Sequence, residues 1–265
     1  MLTRLIAAVI GLAVVLPLLI FGGTWGLEAL VALVLLIGLD EFGGMAFPKA
    51  RHWARFVLFP TGLLLYATVL YAPPLLIGPT IGVCLLACLV AVLFRAGPVD
   101  EHLSSAARLW LGLGYVAGLL SMLPLIRRFE FGLAWIFLML VVVWAGDSGA
   151  YFTGRAFGST KLYEKISPKK TWEGVVGGLI ASVAGALVVR HFGLPETEVA
   201  EIAVLALVLG AGGVVGDLVE SMIKRSAGVK DSGNIMPGHG GILDRVDSLL
   251  FSGALLWTWL VVSGA

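Results

Sequence analysis

Apolar runs of about 20 residues recur from one end of this 265-residue chain to the other, and that is the length a helix needs to cross a bilayer's hydrocarbon layer. A transmembrane barrel would need alternating apolar and polar residues, and residues 202–209, IAVLALVL, do not alternate. Only 13% of the residues are charged and the mean hydropathy is +0.99, whereas a soluble domain carries about 25% charged residues. The expected fold is therefore all-α, a polytopic transmembrane helical bundle.

Nine spans are expected, near residues 5–22, 24–39, 56–71, 75–94, 106–126, 133–153, 172–191, 199–215 and 248–262. Gly22-Gly23 separates the first pair and Pro73-Pro74 the third from the fourth, both strong helix punctuation. The first run lacks a small-residue cleavage site and leads directly into another span, so it reads as a retained helix. With nine spans, 15 of the 18 lysines and arginines fall on one side, which the positive-inside rule assigns to the cytoplasm together with the N-terminus. A net charge of +1 gives no reason to expect a nucleic-acid partner. Cys84 and Cys88, four apart in an apolar run, read as packing residues on one helix face in preference to a metal or redox pair.

Two segments depart from this pattern. Residues 155–173 and 217–247 make up 50 positions, yet they hold 16 of the 35 charged side chains. If the eighth span continues as helix, Asp217, Glu220 and Lys224 line one face. Asp244 and Asp247 stand three apart at the start of the ninth span. Acidic faces at one membrane boundary suit a hard cation, and Mg²⁺, content with one or two carboxylates plus water and substrate phosphate, fits better than Zn²⁺. None of the four histidines clusters with cysteine. Thr171 is placed to cap the seventh helix, setting Lys169 and Lys170 before an N-terminus that attracts anions. The glycines of His239-Gly240-Gly241, flanked by acids and bases, suggest a backbone that approaches a phosphate closely. Asp147 lies in or near the sixth span, where an ionised group marks a functional site by default. Asp40-Glu41, after the second span, reads as a solvated helix end.

Residues 221–247, SMIKRSAGVKDSGNIMPGHGGILDRVD, resemble the family pattern of phosphatidate cytidylyltransferase, also called CDP-diacylglycerol synthase. That pattern runs Ser, two residues, Lys-Arg, four residues, Lys-Asp, a glycine-containing stretch, Pro, one residue, His-Gly-Gly, two residues, Asp-Arg, one residue, Asp. Every position is filled here. VWAGDSGAYFTGRAFGSTKL and SPKKTWEG are similar to the same family, so the close resemblance begins near Val141, and the earlier spans match only in character.

The resemblance implies that CTP and phosphatidic acid react at the bilayer surface to give CDP-diacylglycerol and pyrophosphate, with Mg²⁺ required and room for a second cation. The compact form of the chain suggests a bacterial inner membrane, with an organelle membrane as the alternative, and a homodimer is one assembly open to it. Residues 1–130 would be N-terminal transmembrane helices and residues 131–265 the catalytic transmembrane region, in one integral membrane unit. Asp217, Asp244 and Asp247 are the metal candidates, followed by Asp147 and Asp231. Lys169, Lys170, Lys224, Arg225, Lys230 and Arg245 are candidates to hold phosphates, with Gly240 and Gly241 at the cradle. The catalytic set expected is Asp217, Lys224, Arg225, Lys230, Asp231, His239, Asp244, Arg245 and Asp247, with Glu173 and Glu220 orienting basic partners. Two other readings stand beside it: a CTP-dependent lipid-alcohol kinase, and an ion-coupled transporter using Asp147 and Asp217.

Overall fold

The computed structural model describes residues 2–235 and 240–264, with side chains described throughout except at residues 2–10 and 12. The chain is almost wholly helical and packs as two compact units. One comprises Met1–Pro124 with Asp231–Leu243, the other Leu125–Lys230 with Asp244–Ala265.

In the first unit, α1 (Leu2–Phe21) turns at Gly22 into α2 (Gly23–Ala46). Gly23 has φ +60°, a conformation that glycine adopts without steric cost. Leu27, Val31, Leu35, Leu39 and Phe42 form the buried stripe of α2 at helical spacing. Leu35 and Leu39 pack over Gly62 of α3 (Arg51–Tyr71), where the missing side chain lets the two helices close. A 3₁₀ turn, Pro74–Leu76, opens α4 (Ile77–Leu93). Here Ile81, Val83, Leu85, Leu86, Leu89, Val90 and Leu93 are exposed, while Cys84 and Cys88 are buried and free. Large apolar groups facing out and small ones facing in are what a lipid solvent permits. α5 (His102–Gly112) passes through a π-helical turn, Leu113–Gly118, and α6 (Met122–Ile126) follows.

The second unit is built on α7 (Gly132–Phe157), a short antiparallel hairpin of β1 (Lys161–Tyr163) and β2 (Ser167–Thr171), and α8 (Trp172–Gly193). α9 (Val199–Ser226) and α10 (Leu243–Ser263) complete it. α7 and α8 meet almost backbone to backbone. A methyl group added at Gly178 would sit 2.8 Å from the Gly146 carbonyl oxygen, and one at Gly149 would sit 2.9 Å from that of Gly177. Gly216 of α9 brings that helix close to α10, where an added methyl group would sit 2.6 Å from the Asp247 carbonyl oxygen and 3.1 Å from the Phe251 ring.

Eight helical stretches among the described residues are long and apolar enough to cross a bilayer, and the 20-residue α1 corresponds to the first expected span. The differences from expectation lie at the charged ends. α2 runs on to Ala46, α9 to Ser226, and α10 starts at Leu243, so the polar motifs expected beside the spans ride largely on helical extensions. Once a helix has formed, extending it by a turn needs no new nucleation, and ion pairs satisfy the added side chains.

Gly178→Ala should lower the thermal unfolding midpoint of the detergent-solubilised protein, by a cost of about 1–3 kcal/mol for the overpacked helix pair. Gly82→Ala in α4, with nothing within 4 Å of the added methyl group, should leave it unchanged or slightly raised.

Candidate active site

Within the second unit, α7, β2, α8, α9 and α10 line a cavity of about 250 Å³. Small and apolar residues, among them Val142, Gly178 and Leu179, form much of its wall. Four charged groups also line it: Asp147 from α7, Lys169 and Lys170 from β2, and Asp217 from α9.

The lysine pair owes its position to the next residue. Thr171 has extended φ/ψ and its side-chain oxygen accepts the Gly174 N–H at 3.2 Å, capping α8. β2 therefore delivers Lys169 and Lys170 immediately before a helix N-terminus, whose free amides favour anions. The loop leading into β1 is tied to the same helix end, because Glu173 accepts the Ser159 hydroxyl at 2.6 Å and the Thr160 N–H at 3.1 Å. Glu173 thus holds a turn, where orientation of a basic partner was expected.

α9 continues as helix through its acidic and basic residues, and their shared face divides into two ion clusters. Asp217 pairs with Lys170 at 2.7 Å and accepts the Ser221 hydroxyl at 3.3 Å. One turn on, Lys224 pairs with Glu220 and donates to Asp244 of α10 at 2.6 Å. Glu220 is fully buried, and the side chains of Lys224 and Asp244 are only 10% and 6% exposed. Asp247 accepts the N–H of Ser248, which lines the cavity, at 2.7 Å. Asp147, Asp217 and Asp247 are near enough for their charges to repel one another.

A model of the cytidylyltransferase family matches residues 2–263. The chain belongs to that family. It is 37% identical to a phosphatidate cytidylyltransferase of Synechocystis sp., over 98% of this chain and 96% of the relative. It is 35% identical to that of Staphylococcus aureus, over 98% and 99%. A match to that of Haemophilus influenzae reaches 49% identity over 122 residues, 44% of this chain and 42% of the relative.

In this family member the residues expected from sequence do not form a single cluster. Asp147, Lys169, Lys170 and Asp217 come together at the cavity, with Asp247 beside them through Ser248. Lys224 and Asp244 are joined to each other, with Glu220 as their third member. Arg245 is exposed and within electrostatic range of Asp147, and Arg225 donates to the Val229 carbonyl at 2.9 Å. Lys230 is exposed. Asp231, Gly240 and Gly241 belong to the other unit, and His239 lies outside the described residues.

Among the described residues, no three His, Cys, Asp or Glu side chains converge on one point as a metal-chelating group. A dispersed set of carboxylates with lysines between them fits an ion of the Mg²⁺ type, which takes few protein ligands and completes its shell with water and substrate phosphate. It does not fit a closed zinc cage.

One pair of acids departs from its sequence reading. Asp40 and Glu41 lie within α2, not at a solvated end. Asp40 bridges Arg51 and Arg55 at 2.6 Å each, while Glu41 is 2% exposed and bonds to backbone 201 and 202 positions away. No local spacing signals such a contact.

Lys224→Met removes the cation that buried Glu220 and Asp244 share. It should destabilise the solubilised protein by about 3–5 kcal/mol, read as a fall in its denaturation midpoint. Adding Glu220→Gln to that variant should restore part of the loss, since the fully buried Glu220 charge is gone.

Proposed function

We propose that this protein transfers the cytidylyl group of CTP to phosphatidic acid, giving CDP-diacylglycerol and pyrophosphate as a step of phospholipid biosynthesis. The supporting observation is the cavity that gathers Lys169 and Lys170 with Asp147 and Asp217 in a chain of membrane-length helices. Its near full-length relatives carry the name phosphatidate cytidylyltransferase.

Both reactants are anions, and one arrives from the bilayer with its phosphate at the surface. A lipid phosphate oxygen attacks the α-phosphorus of CTP in line. A new P–O bond forms, the bond from the α-phosphorus to the oxygen bridging it to the β-phosphate breaks, and that oxygen departs with pyrophosphate. No side-chain nucleophile is needed. The protein's work is to screen charge and align the reacting atoms. Lys170 is held against Asp217 at 2.7 Å and can exchange that carboxylate for a phosphate oxygen when substrate enters. Lys169 and the N-terminus of α8 add positive potential beside it.

Asp217, Asp147 and Asp247 are the residues that would hold Mg²⁺, while Asp244 is already engaged by Lys224. Mg²⁺, when bound, supplies charge neutralisation on the triphosphate and on the departing pyrophosphate. The same reading puts the N-terminus and the charged loops in the cytoplasm by the excess of lysine and arginine, in a bacterial inner membrane. A homodimer belongs to it also, and crosslinking in membranes checks that element.

Purified protein given CTP labelled at the α-phosphate, phosphatidic acid and Mg²⁺ should place label in the organic extract and release pyrophosphate. Asp217→Asn should cut that turnover by at least about 100-fold, since a charged group acting at the reacting phosphates is removed. Wild-type turnover in Asp217→Asn would remove this carboxylate from the site. Label reaching a lipid alcohol only from the γ-phosphate would replace cytidylyl transfer by kinase chemistry.

A further inference from the structure

Glu41 is a buried acid that the reaction scheme does not use. It lies within α2, in the first unit, and its carboxylate has three donors. The Ser232 hydroxyl donates to Oε2 at 3.1 Å, the Ile242 N–H to Oε1 at 2.9 Å, and the Leu243 N–H to Oε2 at 2.9 Å. The stretch 232–233 and the stretch 241–243 thus close on the same carboxylate.

Glycine makes that closure fit. A methyl group added at Gly233 would come within 2.5 Å of Glu41 Oε1. One added at Gly241 would come within 2.5 Å of Oε2 and would also strike the Ser232 hydroxyl. Two glycines, a serine and two backbone amides form a socket around a carboxylate that is 2% exposed. Burying an ionised carboxylate is costly unless hydrogen bonds replace the lost water. A backbone whose amides are spent on that carboxylate is held firmly in return. Leu243 opens α10, so Glu41 also satisfies an amide that a helix start leaves without an intrahelical partner. In the chain, Lys230 and Asp231 directly precede the clasped segment, and Asp244, Arg245 and Asp247 directly follow it.

We infer that Glu41 is a positioning residue for the family's reaction: it clasps the backbone at Ser232 and at Ile242–Leu243 and so sets where the reactive residues on either side of that segment are carried. This rests on the cytidylyl-transfer reading for its kinetic consequence, but the clasp itself is a separate physical claim. Glu41 touches backbone and a serine hydroxyl, and its effect on turnover passes through them.

The test uses full-length protein in detergent, with Glu41→Ala, Glu41→Gln and Gly233→Ala measured beside wild type. Hydrogen exchange of peptides covering Ile242 and Leu243 reads the clasp without any reaction. Steady-state kinetics with CTP and phosphatidic acid read its consequence. Glu41→Ala should expose both amides to fast exchange and lower kcat by about 100-fold, the scale expected when reacting groups are displaced by about 1 Å. KM for CTP should change by less than kcat does, because Lys169 and Lys170 lie outside the clasped segment while only Lys230 and Arg245 of the basic phosphate candidates flank it. Glu41→Gln keeps one acceptor oxygen and the side-chain length, so it should recover part of both losses. Gly233→Ala should reproduce the kcat loss with the carboxylate still present.

Unchanged exchange at 242–243 in Glu41→Ala overturns the clasp. Lost protection with wild-type kcat overturns the positioning role. A fall in kcat matched by an equal fall in folded protein, with no recovery in Glu41→Gln, reduces Glu41 to a stability residue and overturns it as well. Absence of turnover in wild type would be a failure of the reaction reading, and the exchange result would stand apart from it.

Discussion

A carboxylate beside hydrocarbon must be met by a donor, and the charged half of this protein is arranged around that demand. Glu220 and Asp244 are met by Lys224, Asp217 by Lys170 and Ser221, and Asp247 by the Ser248 amide. Each pairing between two side chains crosses between elements or spans one helical turn, so meeting the demand also fixes how α9, α10 and β2 stand to one another. Two carboxylates share Lys224, which leaves that buried cluster acidic if all three groups are ionised. The Lys170–Asp217 pair is different in kind. Its side chains are 25% and 31% exposed, and it lines a cavity. A partly wetted pair is weak enough to exchange partners, and a buried one is not. Two lysines of similar appearance in the sequence therefore stand in different settings: Lys224 joins α9 to α10 in a buried cluster, and Lys170 sits in a partly wetted pair at the cavity.

The close contact of α7 with α8 sets the geometry around that cavity. Helices separated by leucine side chains would hold Asp147 and Lys170 further apart. Gly146, Gly149, Gly177 and Gly178 remove that separation. The same approach puts a serine hydroxyl to structural use, since Ser182 of α8 donates to the Val142 carbonyl of α7 at 2.8 Å. In lipid, where apolar helices gain little from meeting each other, such backbone proximity and interhelical hydrogen bonding drive association.

Much of this could be read from the sequence, because it depends on residues close together in the chain. The span positions follow from apolar runs, the cap at Thr171 from its place before a helical pattern, and the shared face of Asp217, Glu220 and Lys224 from helical spacing. Other features depend on which helices become neighbours. Helical spacing could not choose Asp244 as the partner of Lys224, 20 positions away, nor divide the α9 face into two clusters. The π-helical turn at Leu113–Gly118 has no proline or charge to announce it. Glu41 was the least legible. It adjoins Asp40, whose pairing with Arg51 and Arg55 does suit a charged helix surface, yet the two carboxylates leave the helix on different sides and meet different chemistry.

Glu41 holds a glycine-rich segment through two backbone amides and a serine hydroxyl. Backbone amides do not carry a net charge. Three hydrogen bonds to one carboxylate satisfy it. The cost is steric, since each residue beside the carboxylate must be small, and Gly233, Gly241 and Ser232 meet that condition. Glycines in such a segment then have two separate reasons to be there. Gly240, at φ +81°, supplies a backbone conformation, while Gly233 and Gly241 make room for a side chain that arrives from nearly 200 residues away.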